Sequence, residues 1–384
     1  MAPPKLKTKF SDAYKVRRRI RDLGIKIGAL PTGKLNNIND VKGVRVGQAS
    51  IVEGTGRRKT GGGPVRTGVT VVHPAPDVFE NKVVAGSFVL NGAGEMSGLI
   101  QVNEWGLIET PIALTNTMSV GRVADSMNKW MAQKHARIWN DQQVVIPVVG
   151  ECDDSYLNDS VGLHIKTSDV FEALNSAAGG VIQEGAVGAG TGMVCCDLKG
   201  GIGSSSRVFK IDDDEFTVGI LVESNFGVLE DLRIDGFPMG RIIRKKWGEF
   251  ERRTNSYGSI IVVIATDLPL TSGQISRLCK RSGLGIGRVG SYAAHGSGEI
   301  IVGFSTANRI PHVKKHSLRS FKYVGDHSLD LAYQAVIEAT EEAILNSLTM
   351  AVDTDGIDGH FVRAIDLELL QSVFREREAL IDRL

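Results

Sequence analysis

The run SIIVVIAT, residues 259–266, constrains the fold more than any other stretch. Ile260 to Ile264 are all β-branched, which favours an extended backbone. No polar residue alternates with them, so the strand they form has to be covered on both faces. Gly258 and Ser259 stand at its mouth, and the polar, turn-prone residues TNSY lead up to them. A Gly-Ser pair before a strand is ordinarily only a loop ending. It is also a place where a hydroxyl can be presented for chemistry.

The same pattern recurs along the chain. VKGVRVGQASIV, VTVVHPA, KVVAGSFVL, TPIALTNTM, QQVVIPVVGE, FTVGILVESNFG and GEIIVGFSTAN read as strands. SVGRVADSMNKWMAQKHARIW has helical spacing, with Val123, Met127 and Met131 on one face. SDVFEALNSA reads as a helix capped by Ser168 or Asp169, and TSGQISRLCKRSGLGIGRV begins as a capped helix. A long amphipathic helix, SLDLAYQAVIEATEEAILNSLTMA, and a final one, LELLQSVFREREALIDRL, complete the set. Helices interleaved with short, apolar strands predict an α/β fold with sheets covered by helices. No Pro- or Ser-rich linker divides the chain, so a single domain is expected; the best candidate break is the polar, charged stretch 243–258. The basic opening stretch to about Asn39 is expected to be a solvated arm, or an arm packed on a neighbouring subunit.

Composition narrows the function. The 45 basic and 44 acidic residues leave a net charge of +1, so there is no field to gather nucleic acid or an anionic membrane. The 45 glycines are not periodic; they cluster in segments such as GAVGAGTG and KGGIGSSS, the mark of turns and close backbone approaches. Gly61 to Gly63 do not form a phosphate loop, because no G-x-x-x-x-G-K-[ST] and no following helix accompany them. Cys152, Cys195, Cys196 and Cys279 show neither C-x-x-C nor zinc spacing, which fits a reducing compartment. The N-terminus lacks an apolar signal core, and no run is long enough for a membrane helix. A cytoplasmic location is expected.

Three constellations carry chemical potential. At Gly258-Ser259 there is no G-x-S-x-G elbow and no histidine clearly placed as a base, His295 being the only one in a suggestive neighbourhood. A cut between Gly258 and Ser259 would supply a base without a second residue. The freed α-amine titrates near pH 8 and can accept the hydroxyl proton. Glycine before the cut would leave room at the scissile peptide. In AAHGSGEIIVGFS, Ser297 and Glu299 are two apart at a strand start and point to one face, where they could tune a nearby amine or simply line a solvent-facing edge. Glu151 in VVGECDD and Asn225 in LVESNFG sit at strand exits. A carboxylate there can hold an ammonium and an amide can donate to an oxyanion, though both residue types also serve ordinary turns.

Taken together, RDLGI, NNINDVKGVRVGQASIVEG, TGVTVVHP, VLNGAGEMSG, PIALTNTMSVG, PVVGECDD, EGAVGAGTGMVC, KGGIGSSSR, VGILVESNFG, GSIIVVIATDLPL and GSGEIIVGFSTAN resemble, in order, the DmpA-type L-aminopeptidase D-amidase/D-esterase family, which includes the β-peptidyl aminopeptidases. The resemblance covers nearly everything after about residue 19. It implies a four-layer αββα sandwich, similar to N-terminal-nucleophile hydrolases but with a different strand connection. It implies one catalytic domain, self-cleaved into residues 1–258 and 259–384, that assembles as a homotetramer of processed pairs. It assigns Ser259 as nucleophile with its own α-amine as base, Ser297 and Glu299 as partners of that amine, Asn225 as oxyanion donor, and Glu151 as the group that holds the substrate ammonium. It implies no metal or organic cofactor. The expected partners are short peptides, amino-acid amides or esters, and no nucleic acid or membrane.

One position departs from the pattern. Some relatives carry a tyrosine two residues after that glutamate, where this chain has Asp153. Either Tyr156 reaches in, or Asn225 and backbone amides act without it. The rival readings are an acyltransferase of the ornithine acetyltransferase type, whose nucleophile is threonine, and an unprocessed small-molecule binding protein.

Overall fold

The Ile260–Ile264 run lies at the centre of the molecule. It belongs to strand β12 (Gly258–Thr266), buried along its whole length. The computed structural model describes residues 16–141, 143–253, 258–312 and 318–381. Within them, β12 sits in a six-stranded sheet ordered β10 (Gly201–Ile211), β11 (Asp214–Asn225), β12, β13 (Ser297–Pro311), β3 (Asn81–Gly92) and β5 (Leu107–Ile108). It pairs antiparallel with β11 and parallel with β13. A second sheet of five strands runs β1 (Arg45–Glu53), β2 (Val65–His73), β6 (Ile112–Asn116), β7 (Val148–Cys152) and β4 (Met96–Ser97).

The two sheets face each other. Leu221, Ile261, Val263, Ile300 and Val302 from one meet Val72, Ile112, Leu114 and Val148 from the other in a dry interior. The alternate residues Ile260, Val262 and Ile264 turn the other way, toward helices α5 (Ser272–Arg288) and α6 (Asp330–Thr349). Helices α2 (Val120–Lys134) and α3 (Thr167–Ser176) cover the five-stranded sheet through Val123, Met127, Val170, Ala173 and Leu174. The layers are therefore αββα, as expected. Strands enclosed on both faces explain the unbroken apolar run, each fully buried aliphatic side chain contributing about 1.5–3 kcal/mol. Two glycines show why the chain is rich in them. A Cβ on Gly203 would lie 1.9 Å from the Ala343 carbonyl, and one on Gly47 would lie 1.9 Å from that of Ala173. Backbone contact of that kind lets α6 and α3 lie directly on their sheets.

Several expectations change. The arm is neither solvated nor given over to a neighbour in its described part: Ile20, Leu23, Ile25 and Ile27 enter this chain's own core, and residues 1–15 lie outside the described ones. The helix α6 is not a surface helix, because its polar side is buried too. Glu342 Oε2 meets Arg207 and Arg21, each at 2.7 Å, and Glu338 meets Arg207 at 3.2 Å. Paired charges are what allow that face to leave water. Helix α4 (Met239–Trp247) extends into the candidate break at 243–258, of which residues 254–257 lie outside the described ones. Strand β7 begins only at Val148, past Pro147. Helix α3 starts after Lys166, with Asp169 accepting the Lys166 N–H (2.7 Å) rather than serving as the N-cap.

Candidate active site

Strand register brings the candidate residues to one end of the six-stranded sheet. Ser259 lies between Asn225 on β11 and Gly298 on β13. Gly258 is opposite Ser297, and Ile260 opposite Glu299. Residues in register share a face of the sheet. Ser259 and Asn225 thus face the interior between the sheets, while Ser297 and Glu299 face the helical side, with the Gly258–Ser259 peptide between the two sets. Gly258 has no room for a side chain: a Cβ there would be 2.5 Å from the Asn225 carbonyl oxygen and 2.7 Å from Phe226 Cα. The cluster is closed to water, with Ser259 6% exposed, Ser297 3%, Asn225 1%, Glu151 2% and Glu299 0%.

On the helical side, the Ser297 hydroxyl donates to Glu299 Oε1. Glu299 Oε2 is buried and has no hydrogen-bond partner among the described residues. Burial pushes this carboxyl above its usual range, against the two hydrogen bonds it receives from Ser297 and its own backbone. A buried carboxylate oxygen with a vacant lone pair suits a cationic N–H donor. Asn91 secures the segment, its Nδ2 donating to the carbonyls of Ser297 and Ala294, the latter at 2.8 Å.

On the interior side, Asn225 Oδ1 accepts the Val194 N–H at 2.8 Å, and Nδ2 donates to the Asp153 carbonyl at 2.9 Å. That pairing fixes which end of the amide is oxygen and leaves Nδ2 a second N–H. The departure at Asp153 is accommodated: its exposed carboxylate turns back to accept the Ser155 N–H (2.9 Å) and hydroxyl (2.8 Å), and only its carbonyl meets Asn225. Tyr156 stacks on the His360 ring, with centroids 4.2 Å apart and planes 10° apart. Its hydroxyl lies near Glu251 and Arg253, and burial first, then Glu251, raises it to about 12. Tyr156 is thus engaged with His360 and the Glu251–Arg253 segment.

Glu151 is not beyond a strand but inside one, the penultimate residue of β7. Oε1 accepts the Glu95 N–H at 2.8 Å and Oε2 accepts the Thr117 hydroxyl. Burial raises this carboxyl as well, with the charges of Asp153 and Glu95 adding. Gly94 links it to the other sheet: a Cβ there would lie 3.0 Å from Glu151 Oε1 and 3.5 Å from Gly298 Cα. The turn Gly92–Glu95, in the segment VLNGAGEMSG, is thus the bridge between Glu151 and the strand carrying Ser297 and Glu299.

Other groups around the cluster were not singled out in the sequence. Glu223, two residues before Asn225 on the same face, is fully buried with neither carboxylate oxygen partnered, and burial together with Glu151 and Asp154 drives it far above the usual range. Asp154, buried and bonded to Asn158 Nδ2 (3.0 Å), is raised to about 7 mainly by burial. Lys199 is buried among carbonyls beside this region. Glu223 is a charged residue inside the otherwise apolar run LVESN, while Asp154 in ECDDSYLND and Lys199 in CCDLKGG carry no such mark. His295 is exposed, and the four cysteines are buried and unpaired. Among the described residues no group of ligands could hold a metal ion, and no helix is long and apolar enough to cross a membrane.

Known proteins resemble this chain in sequence and in fold. The family model for peptidase family S58 matches residues 36–362. A β-peptidyl aminopeptidase, BapA, from Sphingosinicella microcystinivorans is 39% identical over 374 residues, covering 94% of this chain and 93% of that protein. The solved structure of the PH0078 protein from Pyrococcus horikoshii OT3 superposes with a TM-score of 0.89 at 45% identity, covering 94% of this chain and 99% of that one. The L-aminopeptidase D-Ala-esterase/amidase from Ochrobactrum anthropi, described as a prototype for the serine aminopeptidases and a new variant of the Ntn hydrolase fold, superposes with a TM-score of 0.87 at 37% identity over 94% of this chain and 99% of that one. With one family model spanning most of its length, and relatives matched from end to end, the chain belongs to peptidase family S58.

Proposed function

We propose that this aminopeptidase cuts its own chain between Gly258 and Ser259 and then uses Ser259 as an N-terminal nucleophile. The observation that supports it most is the buried, unpartnered Glu299 Oε2 beside Ser297, on the strand in register with the Gly258–Ser259 peptide. A cut at that peptide frees an amine, which becomes a cation on taking a proton, where an anion lacks a partner.

In self-cleavage, Ser259 Oγ attacks the Gly258 carbonyl carbon. The C–N bond breaks as a C–O ester bond forms, the Oγ proton passing to the departing Ser259 nitrogen, and water hydrolyses the ester to leave the Gly258 carboxylate and a free Ser259 amine. In turnover that amine, held by Ser297 and Glu299, takes the Oγ proton as Oγ attacks the first amide carbonyl of substrate. The second N–H of Asn225 donates to the oxyanion. The leaving amine receives the proton, and water, deprotonated by the same α-amine, releases the acyl group as an amino acid. Glu151 holds the substrate ammonium, which restricts attack to the first residue.

The substrates are short peptides, including β-peptides, and amino-acid amides or esters. The processed enzyme works as a homotetramer in the cytoplasm, without a metal or organic cofactor. Intact mass of purified wild type and Ser259→Ala tests the proposal. Two chains split at Gly258/Ser259 are expected for wild type, and one inactive chain for the variant. An uncut wild type with full activity refutes it.

A further inference from the structure

We propose that Lys199 is a positioning residue for the Asn225 amide, acting through the Met193–Val194 peptide. The inference rests on the assignment of Asn225 as oxyanion donor. Lys199 is fully buried at the end of the short strand β9 (Leu198–Lys199), directly opposite Val194 in β8 (Val194–Cys195). Its ammonium gives all three of its N–H bonds to carbonyls, those of Gly190 at 3.0 Å, Met193 at 2.7 Å and Gly200 at 2.9 Å. A neutral amine has only two N–H groups to offer, so the arrangement requires the charged form. Burial works against that charge and lowers the group to about 7, while Cys195 and Asp154 oppose the shift.

A fully buried ammonium is expensive, and methionine would fill the same space at less cost. Its effect lies in what its bonds hold. The Met193 carbonyl and the Val194 N–H belong to one planar peptide unit, and in a trans peptide they point in opposite directions. Lys199 grips the carbonyl end. The N–H end donates to Asn225 Oδ1 at 2.8 Å. That bond is the shortest of three that set which end of the amide faces the site, beside the one from Nδ2 to the Asp153 carbonyl at 2.9 Å and a longer one from Arg253 to Oδ1 at 3.4 Å. If the peptide unit turns, the amide can rotate by half a turn and present oxygen, not N–H, to a developing oxyanion. Gly190, the third corner of the grip, lies in the turn Gly188–Gly192, which packs on β2. The ammonium therefore ties the amide to the five-stranded sheet as well.

A double-mutant cycle tests this. kcat and KM for an aminoacyl p-nitroanilide are measured for wild type, Lys199→Met, Asn225→Ala and the double variant. Where a variant stays uncut, the rate constant of self-cleavage, followed by intact mass, replaces kcat throughout the cycle. Losing an oxyanion donor lowers kcat about 10²–10³-fold. Lys199→Met is expected to lower kcat about 10²-fold with KM within about twofold, and to cost no more than about threefold further once Asn225 is already alanine. Losses that multiply in the double variant, or a Lys199→Met enzyme at full kcat, overturn the inference. An Asn225→Ala enzyme at full kcat overturns the oxyanion assignment itself, which separates the two failures. Should the methionine variant fail to fold, Lys199→Leu, which likewise offers no N–H donor, takes its place with the same two outcomes.

Discussion

Replacing Gly258 by alanine separates self-cleavage from turnover. The added Cβ would stand 2.5 Å from the Asn225 carbonyl oxygen and 2.7 Å from Phe226 Cα, both backbone atoms that no rotamer change can clear. Ordinary contact begins near 3.4 Å, so the mouth of β12 has to move away from β11 by about 0.9 Å. Overpacking of this kind costs about 1–3 kcal/mol. A displacement near 1 Å at a reacting centre costs about 10²-fold in rate, or about 2.7 kcal/mol, within the same range. Self-cleavage of Gly258→Ala is therefore expected to slow about 100-fold, followed by intact mass in freshly translated protein. Gly273→Ala, whose Cβ would meet nothing within 4 Å, is expected to cleave at the wild-type rate. Once cut, residue 258 is a chain end free to move aside, so the mature variant is expected to keep kcat within about twofold. Cleavage of Gly258→Ala at the wild-type rate would show that the close approach to Asn225 plays no part. Equal losses in cleavage and in mature kcat would show instead that β12 is permanently displaced.

Three further outcomes follow from the same geometry. Glu151→Gln is expected to raise KM for substrates with a free ammonium by about tenfold or more while leaving kcat within about threefold, measured by steady-state kinetics, since the lost interaction is made equally in ground and transition states. Burial raises the Glu151 carboxyl, so protonation removes the ammonium's partner at a higher pH than for an ordinary glutamate near 4.3. The Ki of a product amino acid is accordingly expected to rise as pH falls through that raised value, and to be flat there in Glu151→Gln. Arg207→Met would remove the guanidinium that Glu338 and Glu342 share, leaving Glu338 its bonds from Ala29, Leu30 and Gln334 and Glu342 those from Arg21 and Asn36, at a cost of about 1–3 kcal/mol read from urea unfolding.

The sequence by itself determined the layers. Ile260–Ile264 specified a strand buried on both faces, because five β-branched residues without a polar partner have no solvent side to occupy. Val123, Met127 and Met131 marked the buried stripe of α2 by spacing alone. The family was legible too, since eleven segments kept their order along the chain. Local pattern fixes such features because they depend on neighbours a few residues apart.

Tertiary structure decided everything that depends on residues meeting across sheets. Ser297 and Glu299 were readable as one face, but not as the face opposite the Ser259 hydroxyl; that follows from the parallel pairing of β12 with β13. Glu151 looked like a strand-exit residue, yet it lies within β7, and only the Gly92–Glu95 turn carries its carboxylate toward β13. The sequence of α6 marks an amphipathic helix, but nothing in it reveals that Arg207 and Arg21 arrive from elsewhere to neutralise its polar side. Lys199 gave no signal, and Glu223 gave one without a readable meaning, for the same reason. A charge inside an apolar run has no meaning until the fold supplies, or withholds, its partner.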